Sequence, residues 1–223
     1  MRYALLDWDN TLRKGFTLFD CIDFFIKKNA CAIELKSEID CYIADYSKGV
    51  FNHDELAKMC CDAFSRSLAA KNTISIGRIF SQYFSYDKEK LFAFVPGLFQ
   101  LMRNYGIKPI IISGAPGNVI KKYQSEFGIY RIYSYEMQTS NKRYTGATKF
   151  NYGYSKEKIV DALVKKYGKP IFGMGDSYSD ISLLTAAEHS VLIADANTTI
   201  HSEIVLESSS DSDTVERVLK TIL

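Results

Sequence analysis

Four short strings carry carboxylates, hydroxyls and an amine at spacings that could act on a charged group. The first is Leu5-Leu6-Asp7-Trp8-Asp9-Asn10-Thr11-Leu12, where an apolar run ends. Asp7 and Asp9 are two apart, so as the chain leaves a strand one carboxylate can face a ligand while a neighbouring backbone carbonyl joins it at a cation. Asp, Asn and Thr are also ordinary turn and cap residues. The second string is Ile110-Ile111-Ile112-Ser113-Gly114-Ala115-Pro116-Gly117. A buried strand ending in Ser-Gly before a helix offers a hydroxyl and successive N–H groups as an anion nest. Pro116 suits the first helical turn.

The third string, Ser155-Lys156-Glu157-Lys158, opens an amphipathic stretch. A lysine in a first turn opposes the helix dipole, so the charge needs another reason. On that ground Lys156 and Lys158 are equivalent. The fourth is Phe172-Gly173-Met174-Gly175-Asp176-Ser177-Tyr178-Ser179-Asp180. Ser177-x-x-Asp180 reads as a capping box with Asp in place of Glu or Gln, which leaves Asp176 unexplained. Asp176 and Asp180 at the same sheet edge as Asp7 would form a hard oxygen site suited to Mg²⁺.

The elements that must hold these strings alternate. Short apolar or β-branched runs at 2–6, 107–112, 129–135, 170–174 and 190–193 are followed, in the later part of the chain, by amphipathic stretches at 117–127, 155–167 and 177–187. Ile159, Val160, Leu163, Val164 and Tyr167 share one helical face. This alternation predicts an α/β fold, a Rossmann-like, mostly parallel sheet flanked by helices. Residues 142–146 read as a turn in a small hairpin, and 208–212 as a loop before a final helix. From 16 to 92 the pattern changes to helical spacing throughout, with connectors near 29–30, 49–52 and 71–73. Four or five helices inserted after the first strand account for it, giving a small all-helical domain (16–92) on a core made of 1–15 and 93–223.

Composition excludes other classes. The 223 residues carry a net charge of +2, and the inserted segment holds ten basic and eleven acidic side chains. Neither balance suits a nucleic-acid binder. No apolar run approaches the roughly 20 residues of a membrane span, and the first apolar run is too short for a secretory signal. A cytoplasmic, soluble protein is expected. Cys21, Cys31, Cys41, Cys60 and Cys61 form no C-x-x-C pair, so neither a zinc site nor a disulfide framework is indicated. The vicinal Cys60-Cys61 reads as buried helix.

In order and spacing, D-x-D-x-T, strand-Ser-Gly, a helix-start Lys and G-D-x-x-x-D resemble the haloacid dehalogenase superfamily, over essentially the whole chain. The layout is similar to the phosphoserine-phosphatase-like members, and the insert at 16–92 resembles their helical cap. The eleven residues between Lys156 and Gly168 match that branch and favour Lys156 over Lys158. The resemblance implies an Mg²⁺-dependent phosphatase. Asp7 would be the nucleophile and Asp9 the acid and base. Mg²⁺ would be held by Asp7, the Asp9 carbonyl and Asp176. Asn10, Thr11, Ser113, Gly114 and Lys156 would form the phosphate cradle, and Asp180 would orient Lys156 or join the metal site.

The implied substrate is a small phosphorylated metabolite, with neither nucleic acid nor membrane as a partner. Neither monomer nor homodimer is favoured. Phosphoserine phosphatases carry a carboxylate soon after the first motif for the substrate's amine. Here that stretch reads Arg13-Lys14-Gly15-Phe16-Thr17-Leu18-Phe19, and the first acid is Asp20. Phe16 and Phe19 with Arg13 and Lys14 suggest a different phosphomonoester bearing extra negative charge. The alternatives are a phosphomutase or phosphotransferase of the same superfamily, or a regulatory protein that binds phospho-ligands without turnover.

Overall fold

The computed structural model describes residues 1–154, 156–194 and 199–223; Ser155, expected at the head of a helix, lies outside them. Strand β1 (Tyr3–Leu6) is wholly buried. It leads into four helices, α1 (Thr17–Lys27), α2 (Glu34–Ser47), α3 (His53–Ser67) and α4 (Thr73–Asp87), followed by a 3₁₀ turn at Lys88–Lys90. Apolar spacing makes these helices: Leu18, Cys21, Ile22 and Phe25 bury one face of α1. Asn52 and Glu55 close a capping box on α3, and Asn72 caps α4. Cys60 and Cys61 are buried in α3.

Helix α5 (Val95–Asn104), β2 (Lys108–Pro116), α6 (Gly117–Phe127), β3 (Arg131–Ser140) and β4 (Arg143–Phe150) follow. After them come α7 (Lys156–Tyr167), β5 (Phe172–Gly175), a 3₁₀ turn at Tyr178–Asp180, α8 (Ile181–Ala186), β6 (His189–Ala194), β7 (Ile204–Glu207) and α9 (Ser212–Leu219). The sheet order is β4-β3-β2-β1-β5-β6-β7. Every pairing is parallel except β3 with β4. The expected α/β class with a mostly parallel sheet therefore holds.

Both faces of the sheet are covered, as parallel sheets require. Tyr3, Leu5, Ile110 and Ile112 pack with Val160 and Leu163 of α7 and Leu183 of α8. The alternate residues Ala4, Leu6 and Ile111 belong to a larger cluster that takes in α5, α6, α9 and the interior of α1–α4. The ends of β1, β2 and β5 thus meet at one edge, with α1–α4 on the side of the larger cluster.

Three local expectations are corrected. The hairpin turn is Asn141-Lys142, both in the left-handed region, so 143–150 is strand β4 and not a turn. Ser140 pairs with Arg143 across this two-residue loop, whose backbone twist suits a hairpin. Pro116 is the N-cap of α6, with its first turn beginning at Gly117. The stretch 177–187 starts as 3₁₀ because Asp180 turns back to cap it.

Candidate active site

Asp7 extends β1 by one bond, its N–H donating to the Met174 carbonyl on β5 at 3.0 Å. The next residues peel away, with the Leu12 and Arg13 amides both bonded to the Trp8 carbonyl. Asp7 is therefore fixed by the sheet and Asp9 by a loop. Lys156, the first residue of α7, points inward and is 5% exposed. Its Nζ donates to Asp7 Oδ1 at 2.7 Å and to Asp180 Oδ1 at 2.6 Å. This supplies the reason for a lysine at a helix start. Of the two candidates Lys156 is the buried one; Lys158 borders two surface grooves.

Asp180 is fully buried. Its Oδ2 accepts from the amides of Asp176 and Ser177 and from Ser177 Oγ, at 3.1–3.2 Å. Gly175 makes this possible, since a Cβ there would overlap the Asp180 side chain. With one oxygen on Lys156 and the other on the turn, Asp180 has the bonding of a residue that orients Lys156. Its carboxylate still stands with those of Asp7 and Asp176 in one cluster, ligand atoms within 4.8 Å of one another.

Asp9 is turned away from that cluster. Both its oxygens accept from the Thr17 amide at 3.0 Å, and the Thr17 hydroxyl also donates to Oδ1. Thr11, expected to cradle phosphate, donates its hydroxyl to Asp176 Oδ1 at 3.0 Å and holds that carboxylate in place. Asn10, also expected in the phosphate cradle, is bonded within its own loop. Its amide donates to the Arg13 carbonyl at 2.7 Å, and its side-chain oxygen accepts from Gly15 at 2.9 Å. At φ 55° Asn10 shapes the loop, a conformation Asn tolerates.

Ser113 is buried within β2, which runs on past the expected Ser-Gly end to Pro116 with a shift in its register to β3, and its Oγ accepts from the Ala115 amide at 3.2 Å. The Gly114 backbone is covered by the loop that leads to Lys156. A Cβ on Gly153 would lie 2.5 Å from the Gly114 Cα, so the two chains touch backbone to backbone. Asn151 shapes that loop by accepting from the Gly153 amide at 2.9 Å, while its own amide reaches Cys61 Sγ on α3 at 3.2 Å.

Charge in the cluster is unbalanced: one ammonium stands among three carboxylates. Burial pushes the Asp7 carboxyl up to about 6, against the pull of Lys156, with Asp180 adding repulsion. Burial, then repulsion from Asp7 and Asp180, pushes Asp176 up to about 8. Burial also pushes Asp9 up to about 7, offset by the Thr17 hydrogen bond and the Arg13 charge. Two carboxyls resisting ionisation beside a third is a donor set that a hard divalent cation would relieve, so the residues fit Mg²⁺. A carboxyl that burial holds above its usual range suits a group that must give and take a proton.

The expected place of Arg13 beside a negatively charged substrate is corrected. Its side chain is fully buried, with NH2 on Asp20 Oδ2 at 2.6 Å and on Asp87 Oδ1 at 3.0 Å, so it offers nothing to a substrate. Asp20 is committed to the same pair and is not a free receiver for an amine. Phe16 is 52% exposed and stacks edge-on with Phe19 at 5.8 Å. A groove of about 670 Å³ between α3, β4 and the start of α7 carries Lys58, Arg66, Lys149 and Lys158; it lies along the same 151–154 loop. Sequence reading did not single out Thr17, Asn151 or Gly153. Thr17 alone left a signal, as a hydroxyl residue at the start of a helix just after the first motif.

The sequence profile of the haloacid dehalogenase-like hydrolases matches residues 4–185, and the chain belongs to that family. The enzyme class that the resemblance implies stands with this assignment as far as a hydrolase. A search of the curated proteins finds no match. Among solved structures, a substrate-bound phosphoserine phosphatase is 15% identical at TM-score 0.68, covering 100% of this chain and 99% of that one. A protein of unknown function from Bordetella pertussis Tohama I is 17% identical at TM-score 0.72, covering 86% and 89%. Cytosolic 5′-nucleotidase IIIB bound to cytidine is 15% identical at TM-score 0.69, covering 99% and 85%. At these identities the likeness is one of fold. Among the described residues no helix is long and apolar enough to cross a membrane.

Proposed function

We propose that this chain is an Mg²⁺-dependent phosphatase that hydrolyses a small phosphomonoester through an aspartyl-phosphate on Asp7, with residues 16–92 acting as a cap over a core of 1–15 and 93–223. The observation that carries the reading is the buried Lys156 ammonium bridging Asp7 and Asp180, with Asp9 held separately on Thr17. A carboxylate poised as a nucleophile needs its charge balanced without being protonated, and Lys156 does that. An acid–base group must lie close by but off the nucleophile, and Asp9 is two residues on.

In the first step an Asp7 oxygen attacks phosphorus, forming an O–P bond as the bond to the leaving oxygen breaks. That oxygen takes the Asp9 proton. In the second step Asp9, now ionised, takes a proton from water, whose oxygen attacks phosphorus and returns Asp7 as a carboxylate with release of phosphate. Splitting the displacement in two lowers each barrier. Lys156, Ser113 and the Gly114 amide would orient the phosphoryl oxygens. Mg²⁺, held by Asp7, Asp176 and the Asp9 carbonyl beside Asp180, would supply charge neutralisation of the phosphoryl group.

Phosphoserine phosphatase and a 5′-nucleotidase share this fold, and both names point to small phosphorylated metabolites. Phosphoserine itself is disfavoured, because Phe16 follows the first motif and Asp20 is occupied by Arg13. The test is phosphate release from a panel of phosphorylated metabolites and an aryl phosphate, with and without Mg²⁺. Mg²⁺-dependent release from at least one is expected. Tight phosphate-ester binding with no release would favour a non-catalytic binding protein instead.

A further inference from the structure

We propose that Arg13 is a positioning residue for Asp9, acting through its hold on both ends of the inserted helices; the proposal rests on the reading of Asp9 as the acid and base. Arg13 closes the loop that carries Asp9. Its amide donates to the Trp8 carbonyl at 3.1 Å, and its carbonyl accepts from the Asn10 amide at 2.7 Å. Its guanidinium leaves this loop for the helices. NH2 reaches Asp20, on the first turn of α1, and Asp87, at the last turn of α4. Asp87 is itself fully buried and accepts from Tyr83 at 3.1 Å and from Tyr123 of α6 at 2.7 Å.

One side chain thus ties the catalytic loop to the two points where the chain enters and leaves the helical block. Backbone bonds run alongside: Lys14 donates to the Lys90 carbonyl at 2.8 Å, and Phe92 donates to the Leu12 carbonyl at 3.0 Å. The link to Asp9 is direct in space. Thr17, whose amide and hydroxyl hold both Asp9 oxygens, is the first residue of α1. Asp20, which Arg13 holds, lies one turn further along the same helix. Where Arg13 sets the position of α1, it sets the donors that aim Asp9.

Packing alone does not account for Arg13. Its Nε and NH1 are buried with no hydrogen-bond partner among the described residues, an arrangement that costs free energy. An apolar side chain here together with a neutral one at position 87 would fill the site at less cost, since buried ion pairs replaced as a pair by apolar or neutral groups often leave stability unchanged or raised. What Arg13 supplies, and an apolar residue would not, is a charged hold on α1 and α4 at once.

The test uses the full chain and two substrates: an alkyl phosphate, whose leaving oxygen needs a proton, and 2,4-dinitrophenyl phosphate, whose leaving group does not. The first-step rate is read by rapid quench of labelled Asp7, per active site. In Arg13→Met/Asp87→Asn the buried charge pair is gone, while the side-chain amide then present at position 87 can accept from one tyrosine hydroxyl through its oxygen and donate to the other through its nitrogen. We expect the alkyl phosphate to lose about tenfold or more in the first step, a part of the about 10²–10⁴-fold that a positioned acid contributes. The dinitrophenyl ester should stay within about twofold, since it draws little on the acid. Equal losses on both esters, or no loss on either in a folded double variant, would overturn the proposal. Should that variant not fold, Asp20→Asn carries the same comparison: a larger loss on the alkyl ester supports it, and equal or no loss overturns it. Failure of the wild type to turn over either ester would sink the phosphatase reading itself.

Discussion

Two regions of this molecule bury a cation between two carboxylates, and they are built for opposite ends. At the sheet edge Lys156 lies between Asp7 and Asp180. At the root of the helices Arg13 lies between Asp20 and Asp87. The second cluster is closed: Tyr83 and Tyr123 cover Asp87, and Lys90 approaches Asp20 at 3.8 Å. The first is left with surplus negative charge, because Asp176 joins it without a cation of its own, and its carboxyl is pushed up to about 8 by burial. Similar ion triads thus form an anchor where every charge is answered and a candidate reaction site where one is not.

The sharpest break in this comparison comes from removing the groups that only a reaction site needs. Asp7→Asn should lower turnover by about 10⁴-fold or more, as loss of a nucleophile does elsewhere, with the far-UV spectrum unchanged. Asp9→Asn should cost about 10²–10⁴-fold and slow both the labelling of Asp7 and its release. Wild-type rates in Asp9→Asn would remove Asp9 from the chemistry.

The next effect is on stability, and here the two clusters should part. Arg13→Met alone leaves Asp87 buried and unpaired, a change that typically costs about 3–5 kcal/mol, and Mg²⁺ should restore none of it in a denaturant titration. Lys156→Met should lose stability in metal-free buffer and regain part of it with Mg²⁺, because a cation can stand in for the ammonium between Asp7 and Asp180. Equal recovery in both variants would mean that the metal binds elsewhere. Mg²⁺ should also stabilise the wild type, by about 2.7 kcal/mol at a hundredfold excess over Kd, and Asp176→Asn should shrink that gain.

The smallest effect expected is one of ranking. Phe16→Glu, at an exposed ring, should shift preference towards amine-bearing phosphomonoesters while Mg²⁺ dependence stays the same. An equal loss on all substrates would make Phe16 a packing residue.

The candidate site was largely legible in the sequence, and the anchor was not. Asp7, Lys156 and Asp176 stand at the end of a strand or the start of a helix, and Ser113 closes an apolar run, where short-range pattern marks them. Arg13 read as a charge for the substrate because its partners, Asp20 and Asp87, lie 7 and 74 residues away and share no element with it. Thr17 left only a helix-start hydroxyl as a signal, since its tie to Asp9 runs across a loop. In the fold, β4 went unread because its inward positions are Tyr144, Gly146 and Thr148, so the alternation in burial has no apolar alternation in the sequence to mark it. It gains its place from α3 and the hairpin turn.

That hairpin imposes an order on how the chain is made. The connector between α3 and α4 is sewn to β4 by backbone bonds, Ala70 to Tyr144 at 2.8 Å, Tyr144 to Lys71 at 3.0 Å and Thr73 to Lys142 at 2.9 Å. Thr73 and Lys142 are 69 residues apart. At about 5–20 residues per second on a ribosome, the helices wait about 3–14 s for the strand that fastens them. Until β3 and β4 are made, the face of α3 that packs on them has no partner. Slowing elongation between codons 73 and 142 should lower the yield of folded protein.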